Sequence, residues 1–150
     1  MKHVTALDAY SNNITEAGIG HIIKGKWKLK ELHIAENNLK NGGFLKVINN
    51  RYFLNNLIIL DVGFNDIEID ECNINILLNE NLPKMQILYL DGNTTTTEAA
   101  QNILNALKNG KFPSLKELKI DLDHDEENFE ELVEINQLIQ GFLAKKALIN

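Results

Sequence analysis

One spacing of apolar residues returns five times along this chain. A chain that repeats itself in this way must fold as a row of like units. Two copies read Leu29-x-x-Leu32-x-Ile34-x-x-Asn37-x-Leu39 and Leu57-x-x-Leu60-x-Val62-x-x-Asn65-x-Ile67. A third, Met85-x-x-Leu88-x-Leu90-x-x-Asn93, has Thr95 at the last apolar position. Val4-x-x-Leu7-x-Ala9-x-x-Asn12-x-Ile14 precedes them, and Leu115-x-x-Leu118-x-Ile120-x-x-Asp123 follows. The copies start at 4, 29, 57, 85 and 115, so the spacings are 25, 28, 28 and 30 residues. The middle of each copy alternates apolar and polar residues, the period of a half-buried strand. Strands are expected near 5–9, 30–34, 58–62, 86–90 and 116–120. A segment of helical length follows each strand, which makes the strands parallel. No single unit can bury its apolar side alone, so the units must stack.

The motif L-x-x-L-x-L-x-x-N-x-L, five times in phase, resembles that of the leucine-rich repeat family. The period near 28 with a helical second half is similar to the ribonuclease-inhibitor-like subclass. The resemblance implies one α/β domain over 1–150, a right-handed solenoid in a horseshoe arc. Parallel strands would line its concave face and helices its convex face. It also implies a structural role for Asn12, Asn37, Asn65 and Asn93: a ladder of amides bonding the backbone of neighbouring turns. An amide can do this because it both donates and accepts. Asp123, an acceptor only, would end the ladder.

The return segments carry helix signals. Thr15 and Gly25 bracket the first. Phe44, Leu45, Val47 and Ile48 have helical spacing over about 40–51, as do Cys72, Ile76 and Leu77 over about 69–79. Thr95 and Glu98 are spaced as a capping box before Ile103, Leu104 and Leu107, with Gly110 as the stop. A capping helix is expected at about 126–145, its acidic start Asp125–Glu127 matched to the helix dipole. Phe129, Leu132, Ile135, Leu138, Ile139 and Phe142 form its apolar stripe, opposite Glu130, Glu131 and Glu134. No comparable cap precedes Val4. Either the first repeat caps itself, or that end meets another chain in a weak homodimer, or upstream residues lie outside this sequence.

Strand parity defines the exposed columns. One holds Asp8, His33, Asp61, Tyr89 and Lys119; the next holds Tyr10, Ala35, Gly63, Asp91 and Asp121. Beyond lie Ser11, Glu36, Phe64, Gly92 and Leu122, and before the core pair lie Ala6, Glu31, Ile59, Ile87 and Glu117. Acids dominate these positions, and Lys119 is their only lysine or arginine. Tyr10, Phe64 and Tyr89 add rings. Rings supply contact energy and a single-sign field supplies steering, which is the chemistry of a protein interface for a basic partner. The expected binding residues are Asp8, Tyr10, His33, Glu36, Asp61, Phe64, Tyr89, Asp91, Lys119 and Asp121.

Other activities fit less well. Asp8, His33 and Asp61 in adjacent rungs, with Ser11 nearby, sketch a Ser-His-Asp set, but a regular strand face offers no oxyanion hole. No catalytic residue, cofactor or metal site is therefore expected; the run DLDHDEENFEE misses the calcium-loop spacing. Cys72 is the only cysteine and is expected to be a small buried hydrophobe. KGKWKLK around Trp27 is the one basic patch, expected to be a solvated loop with a packed indole. A net charge of −6 disfavours nucleic acid, and no apolar run is long enough for a membrane span. The missing disulfide pair and Sec-type h-region point to an intracellular setting, or to export into a host cell without that signal. Asn 21, Ile 18 and Lys 14 against one Arg also suit an AT-rich genome, as in intracellular bacteria whose repeat effectors this chain resembles. Alternatives are a small-GTPase regulator, as the related repeats of Ran GTPase-activating proteins are, and an assembly unit pairing through the first repeat. Arg51 at a helix end makes a poor arginine finger.

Overall fold

The computed structural model describes residues 4–25, 27–80, 82–121 and 129–149. The element order is β1 (Ala6–Asp8), α1 (Glu16–Lys24), β2 (Glu31–His33), α2 (Lys40–Ile48), α3 (Arg51–Leu54) and β3 (Ile59–Asp61). Then come β4 (Glu68–Ile69), α4 (Glu71–Asn79), β5 (Ile87–Tyr89), β6 (Thr94–Thr95), α5 (Thr97–Lys108), β7 (Glu117–Lys119) and α6 (Phe129–Ala147). Five three-residue strands form one parallel sheet in the order β1-β2-β3-β5-β7, and β4 pairs with β6 beside it.

The register follows the repeat. Leu7, Leu32, Leu60, Leu88 and Leu118 stand in line across the sheet. The last four are buried among Ile19, Phe44, Val47, Ile74, Leu77, Ile103, Leu104 and Ile139 from the helices. Leu7 is only partly buried. Helices thus cover one face of the sheet. Parallel sheets are usually covered on both, so the open second face is where this molecule departs from the norm.

The horseshoe solenoid expected from the repeats is corrected here. The chain is a small α/β domain on a five-stranded parallel sheet. The spacing motif dictates a strand, a tight turn and a helix in each unit. It does not encode how many units accumulate or how they curve.

Local expectations also shift. The cap of α5 is Thr96, whose hydroxyl accepts from the Ala99 N–H at 3.2 Å, not Thr95. Thr95 pairs with Ile69 in the small sheet instead. Cys72 is exposed, and α4 buries Asn73, Ile74, Leu77 and Leu78. Asp70 starts α4 by accepting from the Asn73 N–H at 2.8 Å, and that cap sets which face turns inward. Leu138 is half exposed, because α6 packs through Leu132, Ile135, Ile139 and Leu143. Trp27 is substantially exposed, with its indole over Gly25. Leu122, Asp123, the segment 125–127 and Lys26 lie outside the described residues.

Thr95 occupies an apolar position of the repeat, fully buried, and its Oγ1 has no hydrogen-bond partner. Val has nearly the same shape without the hydroxyl. Thr95→Val is therefore expected to raise stability by about 1 kcal/mol, read from urea unfolding at constant m.

Candidate functional site

The open sheet face is assembled by register. Asp8, His33, Asp61, Tyr89 and Lys119 form one row, and Ala6, Glu31, Ile59, Ile87 and Glu117 the parallel one. Ile59 and Ile87 pair directly and are half-buried, an apolar centre among the charges. They are absent from the expected binding residues, although the alternation of the repeat already placed them on this face.

Side chains of the two rows lie close to one another. His33 Nε2 lies 3.6 Å from Glu31 Oε2, and its Nδ1 lies 4.0 Å from Asp61 Oδ2. Lys119 Nζ sits over the Tyr89 ring, 4.2 Å from its centroid. Burial, then a hydrogen bond with Glu117, pushes the Tyr89 phenol up to about 12. A hydrogen bond with Glu36, then burial, raises that of Tyr10.

The turns after the strands share an unusual backbone. Ser11, Glu36, Phe64 and Gly92 occupy equivalent positions, all left-handed, with φ of 54, 52, 51 and 68°. Each N–H points to the next turn. Ser11 donates to Ala35 O, Glu36 to Gly63 O and Phe64 to Asp91 O. Gly92 N–H is met by a side chain instead, Asp121 Oδ2 at 2.6 Å. Asp121 thus has a structural partner beyond the binding role expected of it. Ala35 and Gly63 are buried, so their column is not continuously exposed.

The asparagines brace the same turns from inside. Asn37 Oδ1 accepts from the N–H groups of Asn12 and Ile14, and its Nδ2 donates to the carbonyls of Ala9, Ile34 and Ala35. Asn65 accepts from Leu39 and donates to Ile34, Val62 and Gly63. Asn93 accepts from Asn65 and Ile67 and donates to Val62 and Leu90. Asn12 is exposed, and among the described residues its side-chain amide bonds only to Tyr10 O.

Two carboxylates converge above Gly63. A Cβ there would stand 3.4 Å from both Asp61 Oδ1 and Asp91 Oδ1, and 3.1 Å from Asp91 O. Asp61 Oδ1 accepts from the Gly63 N–H at 3.1 Å. Burial raises the Asp61 pKa, and Asp91 adds to the rise, against that hydrogen bond, His33 and Lys119. The folded state therefore favours the protonated form. The stability this confers is complete below the unfolded carboxylate pKa and is lost as pH rises through the raised folded value. Asp61→Asn keeps the Gly63 acceptor without the charge. Its melting temperature is expected to exceed wild type modestly at neutral pH, with the difference vanishing toward acid pH.

Other groups stay apart. Asp8 Oδ1 accepts from the Tyr10 N–H at 3.1 Å, and among the described residues no hydrogen bond joins Ser11 to His33. The described residues hold no cluster of three or more His, Cys, Asp or Glu spaced for a metal. Arg51 lies at 2.7 Å from Glu80, at the far end of the helices. No described helix is long and apolar enough to cross a membrane.

No family model matches the chain. No curated protein matches its sequence. Solved structures do match. Leiomodin-1 actin-binding site 2 superposes with a TM-score of 0.71 at 12% identity, over 95% of this chain and 80% of that one. The tropomodulin C-terminal domain of Caenorhabditis elegans gives 0.64 at 12% identity, over 98% of this chain and 90% of that one. At such identity the likeness establishes the fold alone. It corrects the family expectation: the chain is similar in fold to these domains, and the resemblance to ribonuclease-inhibitor-like leucine-rich repeats is set aside.

Proposed function

We propose that this chain is a non-enzymatic protein-binding domain, and that its partner presents a basic surface to the open sheet face. The observation that carries this is Phe64. A bulky side chain in the left-handed region costs about 1–2 kcal/mol, yet Phe64 holds φ 51° there. The residue is 54% exposed, with its ring over Gly92. The turn imposes that backbone, and the exposed ring it carries is available to a partner as an anchor. Tyr10, 52% exposed, Ile59, Ile87 and Tyr89 extend the contact area. Glu31, Glu36, Asp61, Asp91 and Glu117 supply the negative field that would steer a cationic partner. The matched leiomodin region is named for actin binding, which supports a protein ligand over a small molecule.

The test places a photoreactive phenylalanine analogue at position 64, and as a control at Gln101 on α5. Purified actin monomers and a lysate are the two sources of partner. A protein captured from position 64 and not from 101 is then purified and titrated. Phe64→Ala with Asp91→Lys is expected to weaken it by about a hundredfold, the loss of one ring anchor and one charge pair. Equal capture from both positions, or unchanged affinity in the variant, would overturn the assignment.

A further inference from the structure

The two ends of the domain carry opposite charge. The strands of the main sheet are parallel. Segments leading from a helix to the next of these strands therefore lie at one end, and segments leading from strand to helix at the other. The helix-to-strand segments 25–30, 49–58, 80–86 and 109–116 carry seven Lys or Arg against one acid, Glu80. The strand-to-helix segments 9–15, 34–39, 62–70 and 90–96 carry five Asp or Glu and no Lys or Arg. Cations in the last turn of a helix answer its dipole, as Lys24 and Lys108 do. Lys28, Lys30, Lys84, Lys111 and Lys116 stand beyond the last turns, so the dipoles do not account for them. Among the described residues none of these five is in an ion pair. Lys28, Lys30, Lys84 and Lys116 are exposed. The nearest acids are engaged elsewhere. Glu80 holds Arg51 at 2.7 Å, Glu31 lies 3.6 Å from His33, and Glu117 shares a hydrogen bond with Tyr89.

The backbone holds the basic segments in a row. Ile58 N–H donates to Lys30 O at 2.7 Å, Gln86 N–H to Ile58 O at 2.8 Å, and Lys116 N–H to Gln86 O at 2.9 Å. Lys30 and Lys116 thus stand three strand spacings apart, about 15 Å. Two rings sit on the first two segments: Trp27 is 43% exposed and Tyr52 60%.

We propose that this end of the domain docks on the face of an anionic lipid bilayer. Charges spread along a line suit a flat, uniformly negative surface. Indole and phenol rings beside lysines are the side chains that settle at headgroup level. Protein interfaces are depleted in Lys. A nucleic-acid strand would ask for rings along the whole row to stack its successive bases, whereas Phe112 on the last segment is buried. The chain as a whole carries −6, but the acidic turns stand back from the bilayer. Helices α1, α2 and α4 have nine residues each, about 14 Å of length. The Debye length at physiological salt is about 8 Å, so the near lysines outweigh the far acids. This docking uses the end of the sheet and not its open face, so it does not rest on the partner proposed above.

Trp27 is the only tryptophan and reports its own surroundings. Its fluorescence is followed as the full chain is titrated with phosphatidylcholine vesicles, with and without about one-third phosphatidylserine. A blue shift is expected with the anionic vesicles alone, reversed by added salt. Each lysine near such a surface is worth about fivefold in affinity, so Lys28→Ala with Lys116→Ala should weaken binding about twenty-five-fold, with unchanged circular dichroism. Lys40→Ala removes a charge at the start of α2, the opposite end, and should leave binding unchanged. No shift with anionic vesicles would overturn the proposal. So would an equal shift with neutral ones, or a loss in Lys40→Ala as large as in the double variant. Polyuridylate bound more tightly than the vesicles, and lost in the same double variant, would give the row to nucleic acid and overturn the lipid assignment.

Discussion

Asn65→Ala is expected to destabilise the domain by about 3–5 kcal/mol, a large fraction of the stability of a chain this size. Asn65 is fully buried. Its Oδ1 accepts from Leu39 N–H, and its Nδ2 serves the carbonyls of Ile34, Val62 and Gly63. Truncation leaves backbone groups of two adjacent turns without partners in a site closed to water. Each orphaned buried group costs about 1–3 kcal/mol. Asn12→Ala offers the internal comparison. Asn12 is exposed, and among the described residues its amide bonds only to Tyr10 O, so the expected loss is below about 1 kcal/mol. Urea unfolding of both variants measures the contrast. Equal losses would mean that the interior of the turns is not held by the asparagines.

Leu60→Ala is expected to cost about 3–5 kcal/mol through lost burial and the cavity left behind. Leu60 is fully buried at the centre of the sheet, flanked in register by Leu32 and Leu88. Leu7 holds the same register position at the β1 edge, but is only partly buried. In dilute solution Leu7→Ala should cost about 1 kcal/mol, since most of its side chain surface is not removed from water to the same degree. The two values, from the same chemical change in the same row, measure how far the apolar core runs out toward that edge.

The repeat made the strands legible because its alternation is set by the chain and not by tertiary context. Every strand of the main sheet falls inside its expected window, and the row from Asp8 to Lys119 follows from the same register. The helix faces were less legible. Cys72 looks apolar, but the Asp70 cap fixes α4 so that Asn73 turns inward and bonds to Glu68 O. Leu138 fits a helical stripe that α6 rotates away from its neighbours. Backbone conformation was invisible too. Nothing in the identity of Phe64 announces a positive φ; the turn imposes it, and Gly92 is the one member of that series suited to it. The overall architecture was misjudged for a related reason. A local spacing rule repeats the unit and says nothing of the family to which the whole belongs.

The claim that the open sheet face binds the partner is tested most directly by carboxyl footprinting, with and without the protein captured from position 64. Acids lie on both sides of the domain, so each face reports on itself. Protection is expected at Asp8, Glu31, Glu36, Asp91 and Glu117, with Glu71, Glu98 and Glu131 labelled as before. Protection of the helix acids, with the sheet acids still reactive, would contradict the account.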